Sequence, residues 1–97
     1  SSYNNIGAIY SKMGDNEKTL ECYLKACQIL EQKVGCYNDR TAVVYYNLSA
    51  VYFEMENYSK ALEYLTKAEA AYTKIYGEES EIVKQMRAGI QDVKSRL

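Results

Sequence analysis

Proline, histidine and tryptophan are absent from the 97 residues, and glycine occurs five times. So few helix breakers, with no run alternating between polar and apolar residues, point to an all-α chain. Without histidine there is no Ser-His-Asp or Cys-His nucleophile set, and no glycine-rich stretch could cradle a phosphate. Catalysis is therefore not expected, and neither is a cofactor. Cys22, Cys27 and Cys36 stand at none of the usual paired spacings, which argues against zinc. Their odd number leaves one thiol unpaired whatever the connectivity, so a reducing, cytoplasmic setting is expected.

Charge of one sign is also lacking: 12 basic and 13 acidic residues are interspersed to a net −1. Nothing collects nucleic acid, and no polybasic patch meets a membrane surface. The longest apolar stretch, 41–53, is broken by Asn47 and Ser49 and is too short to span a bilayer. No secretory leader is recognisable, and the chain begins inside an already periodic segment. That start suggests a piece of a longer protein.

Five amphipathic segments are present. In the first, Ser1–Met13, Tyr3, Ile6, Ile9, Tyr10 and Met13 recur at three- and four-residue intervals, and Gly14 follows. Asp15 is positioned to cap a second helix over Asn16–Val34, with Leu20, Tyr23, Leu24, Ala26, Cys27, Leu30 and Val34 inward. After Gly35, Asn38 or Asp39 caps a third helix that turns Val43, Val44, Leu48, Val51, Tyr52 and Met55 inward. A fourth over Tyr58–Tyr76 is capped by Asn57 and stopped by Gly77, with Ala61, Leu62, Leu65, Ala68, Tyr72 and Ile75 inward. Ser80 opens a fifth, Glu81–Leu97, with Val83, Met86, Ile90 and Val93 inward.

The first two pairs of segments are copies of each other. Tyr3, Asn5, Ala8, Tyr10, Met13, Lys18, Leu20, Glu21, Lys25, Ala26 and Gly35 all recur identically 42 positions later. Another 42 positions carry Val44 to Met86 and Leu48 to Ile90, while Ala50 and Tyr52 become Asp92 and Lys94. A lone helix that turns polar where a further hairpin would pack is how a solenoid ends. One domain over 1–97 follows, with repeats at about 1–35 and 39–77 and a capping helix at about 80–97.

Ile6-Gly7-x-x-Tyr10, Gly14-Asp15, Tyr23 and Ala26, and again Leu48-x-x-x-Tyr52, Asn57-Tyr58, Ala61, Leu65 and Ala68, resemble the tetratricopeptide repeat signature. These units are longer than the usual ~34 residues, and in that respect resemble the repeats of kinesin light chain. Thr19 against Ala61, Ser49 against Gly7 and Glu56 against Gly14 depart from strict repetition. The resemblance implies two helix-turn-helix repeats plus a cap, stacked as a right-handed α-α solenoid. It also implies a scaffold or adaptor that holds a peptide or helix of a partner protein in a concave groove lined by the first helices.

Carried over by register, that groove comprises Asn4, Asn5, Ala8, Ser11 and Lys12, then Val43, Tyr46, Asn47, Ala50, Phe53 and Glu54. Gln85, Ala88, Gly89, Asp92 and Arg96 complete it. Two roles fit Asn5 and Asn47: gripping a peptide backbone, since an amide both donates and accepts, or stitching neighbouring helices. Tyr46 and Phe53 are hot-spot candidates, or packing against a neighbouring helix. A clamp for a C-terminal carboxylate is not expected, because its positions hold Asn4, Ala8, Asn47, Gln85 and Gly89, of which Asn47 alone matches. The other reading is structural: a terminal segment of a longer array, or a self-association module forming a homo-dimer through its N-terminal helices.

Overall fold

The computed structural model of the chain describes Gly7 and residues 12–97. Gly7 and Lys12 are helical; the rest of the first expected helix lies outside the described residues. Four helices follow: α1 (Asn16–Lys33), α2 (Asp39–Glu54), α3 (Tyr58–Tyr76) and α4 (Glu81–Ser95). Each packs on its neighbour in the chain, and α3 is held between α2 and α4. No strand occurs among the described residues.

Short-range hydrogen bonds set the helix ends. Asp15 Oδ1 accepts from the Lys18 amide at 3.2 Å, Asn38 Oδ1 from Arg40 at 2.9 Å and Asn57 Oδ1 from Lys60 at 3.3 Å. Ser80 occupies the N-cap of α4 without a side-chain cap bond. The capping helix also stops sooner than expected, at Ser95, with Arg96 as its C-cap.

At the end of α2 the Glu56 amide donates to Phe53 O at 3.0 Å and the Asn57 amide to Tyr52 O at 2.9 Å. This paired closure puts its central residue in the left-handed region, where glycine is favoured. Gly14 takes that role at φ 78°, whereas its counterpart Glu56 takes it at φ 61°. Glu56→Gly is therefore expected to stabilise the chain. A left-handed non-glycine residue costs roughly 1–2 kcal/mol, less the chain entropy that glycine adds, for a net gain of about 0.5–1 kcal/mol. Urea titration checks this: an unchanged or lower midpoint means the turn is not strained.

The core runs through all four helices: Tyr23, Ala26, Cys27 and Leu30, then Val44, Tyr45, Leu48 and Val51, then Leu65, Ala68, Ala71 and Tyr72, then Val83, Met86 and Val93. Two buried threonines are satisfied locally, Thr19 Oγ1 donating to Asp15 O at 2.7 Å and Thr41 Oγ1 to Gly35 O at 2.8 Å. Several residues expected inward are exposed instead: Leu24, Val34, Val43, Met55 and Ile75. They sit at the margins of the apolar stripes or at helix ends, where they are only partly covered. Ala71, not expected inward, is buried.

Tyr64 is flanked by Tyr52, stacked at 5.7 Å between ring centroids, and by Tyr45 at 6.2 Å. Lys67 Nζ lies 5.2 Å from the Tyr64 centroid. Arg87 ties α4 back to α3 and to the intervening loop, through Glu69 at 3.2 Å and Glu78 at 3.3 Å. No described helix is long and apolar enough to cross a membrane.

Candidate functional site

The described residues form a cleft of about 390 Å³ between α2 and α4, floored by α3. Helical spacing accounts for its walls. Ala50 follows Tyr46 by four residues, and Phe53 and Glu54 follow Ala50 by three and four, so all four share one side of α2. Gln85, Gly89 and Asp92 do the same on α4, and all seven line the cleft. Ser49, Ala61, Leu65, Met86 and Val93 complete the lining.

Those last five were not among the expected groove residues. Helical periodicity turns Ala61, Leu65, Met86 and Val93 inward, and all four are buried. A residue wedged between two helices also forms the bottom of the crevice between them, so one position serves both ends. Ser49 is buried with its Oγ donating to Tyr46 O at 2.6 Å. Gly89 leaves one wall low: a Cβ there would come within 3.1 Å of Leu65 Cδ2.

Val43 and Ala88 are exposed and outside the lining, and Asn47 is half-buried outside it. Lys12 is exposed, while Asn4, Asn5, Ala8 and Ser11 lie outside the described residues. Arg96 does not line the cleft but closes over one end of it. Its guanidinium carbon stands 4.9 Å from the Phe53 ring centroid, and its Nε lies 3.7 Å from Asp92 Oδ2. The Phe53 ring also meets Tyr58 edge-on, at 5.3 Å.

The charged lining residues, Glu54 and Asp92, are both acidic and exposed. Among the described lining residues, no nucleophile is paired with a base. A cluster of titratable groups lies elsewhere, where α1 meets α2. Here the Tyr45 hydroxyl donates to the Glu31 carboxylate, and Cys36 Sγ lies 4.0 Å from the same oxygen. Burial, then the nearby Glu31, pushes the Cys27 thiol up to about 12, which keeps it protonated and inert. Burial first, with the neighbouring Tyr52 next, likewise raises Tyr64 to about 12. Among the described residues, no group of three or more cysteines and carboxylates is placed to hold a metal.

Residues 1–74 match the model of the tetratricopeptide repeat family. The chain belongs to that family. No curated protein matches it. Tetratricopeptide repeat proteins generally mediate protein–protein interactions and are generally not catalysts. In this tetratricopeptide repeat chain, two features recur 42 positions apart. Gly35 and Gly77 have φ 82° and 90°, and Asp15 and Asn57 each accept from the amide three residues on.

Proposed function

We propose that the chain is a scaffold or adaptor module that holds a peptide or helix of a partner protein in the cleft between α2 and α4. The observation that carries this reading is the juxtaposition of Tyr46 and Phe53 with an apolar floor and a wall lowered at Gly89. An aromatic pair beside a trough is the kind of surface from which a few side chains supply most of the binding energy. The long, 42-residue spacing supports a likeness to the repeats of kinesin light chain. The three free thiols support a reducing, cytoplasmic location.

Phe53→Ala should weaken capture of a partner about 10- to 100-fold, the range for truncating an interface anchor, while helicity is kept. Lys25→Ala, on the exposed side of α1 and away from the cleft, is the control. Lys67 would be a poor one, because it sits against Tyr45 and Tyr64. Affinity capture with the full chain, followed by titration of the recovered partner, measures both. A larger loss with Lys25→Ala would place the binding face elsewhere.

A second reading, self-association through the N-terminal side, is favoured by the exposure of Met13, Leu24 and Val34. Unpartnered apolar surface of this kind recruits copies of itself. Light scattering should then show dimers whose fraction rises with concentration and is reduced by Leu24→Glu. A strict monomer at high concentration removes this reading.

A further inference from the structure

An intramolecular contact indicates what the cleft selects, taking as its basis that the cleft holds a partner segment. The Arg96 guanidinium lies 4.9 Å from the Phe53 centroid and 3.7 Å from Asp92, so the ring and the carboxylate together form a seat for a planar cation. That seat lies at the end of the cleft carrying Glu54 and Asp92. Arg96 pairs with Asp92 and leaves Glu54 without an ion pair among the described residues. The Arg96 and Asp92 side chains keep 47% and 59% of their accessible surface, so the pair is solvated and weak enough to be displaced. Beyond the seat, Ala50, Met86 and Gly89 offer an apolar trough, with Tyr46 on its wall.

We propose that the cleft selects a partner segment carrying an arginine next to an apolar side chain, the arginine taking the seat on Phe53 that Arg96 occupies in the free chain. The guanidinium replaces one planar cation by another on the same ring, and the second carboxylate, Glu54, adds attraction that Arg96 leaves unused. An acidic segment would instead bring its charge against both carboxylates. Arg96 therefore acts as a resident competitor. Removing it should tighten binding of an arginine-bearing segment, whereas removing the ring should loosen it.

The test uses the full chain and three pools of fluorescent degenerate heptapeptides, each fixed at its centre as arginine, citrulline or glutamate. Citrulline keeps the shape of arginine without its charge. Fluorescence polarisation should rank arginine first. Arg96→Ala should raise affinity for the arginine pool about two- to fivefold, the size of one exposed cation–π contact. Phe53→Leu should lower it by a similar factor, with less change for citrulline. Ala50→Trp, which fills the trough, should abolish binding of all pools, and circular dichroism melts establish that each variant folds. Equal binding of arginine and citrulline, or preference for glutamate, with Ala50→Trp still inactive, would overturn the arginine seat and leave the cleft as the binding site. Binding indifferent to Ala50→Trp, or binding by none of the pools, would overturn both.

Discussion

Leucine in place of Ala61 or Ala68 is expected to lower stability by about 1–3 kcal/mol, the usual cost of forcing extra methylenes into a filled interior. Neither alanine has any exposed surface. Both lie on α3, the helix held between α2 and α4, where the three extra carbons of leucine meet close-packed neighbours, although at Ala61 the cleft gives part of the larger side chain somewhere to go. In a domain of this size such a loss should appear as a fall in Tm of about 4–8 °C per kcal/mol. Lys60→Ala, one residue from Ala61, is the matched control. Lys60 is exposed and makes one ion pair, to Glu63 at 3.5 Å, worth a few tenths of a kcal/mol. The two alanines should separate in binding, because Ala61 forms part of the cleft floor and Ala68 does not. Thermal melts in which Lys60→Ala and Ala68→Leu fall equally would mean that the buried face of α3 has been misassigned.

Gly7→Ala should cost a comparable ~1–3 kcal/mol, and its rescue is more informative than its cost. A Cβ on Gly7 would stand 2.6 Å from Tyr23 Cε1 and 2.7 Å from Cδ1. Tyr23 is buried, so the ring cannot simply swing aside. The positions 42 residues on are Ser49 and Leu65, both buried, where a side chain replaces the hydrogen and a smaller group replaces the ring. Tyr23→Leu should therefore absorb much of the penalty. In a double-mutant cycle the pair should couple by about 1 kcal/mol or more, within the range for contacting residues. Simple additivity would show that the ring is not what excludes the methyl group.

In sequence these two positions look unrelated, one a departure from the repeat and the other a conservative match. Their contact makes them a single exchange of volume between two helices. Two of the exposed apolar residues carry a signal in the repeat itself. Leu24 and Ile75 are exposed, and their counterparts 42 positions away are Thr66 and Lys33, both polar. An apolar residue whose repeat partner is polar belongs at the edge of the stripe. Periodicity within one helix cannot show this, since the burial of a marginal residue depends on how far the neighbouring helix extends.

What the sequence by itself determined was the four described helices and most of their ends, because caps and left-handed stops are made by residues within five positions of each other; the cap bond expected of Ser80 is absent, and α4 stops at Ser95. Asn57 and Gly77 bound α3 in the structure as they do in the sequence, and Asp15 and Gly35 flank α1. It also determined which residues of α2 and α4 could share a wall, since that depends only on the helical repeat. Which walls face each other was decided by tertiary structure. Asn47, on the expected groove face, ends half-buried outside the cleft, and Arg96, from the far end of the chain, comes to rest on Phe53. Both outcomes depend on how helices distant in sequence pack together, with Ala61, Leu65, Met86 and Val93 buried along them, rather than on any local run of residues.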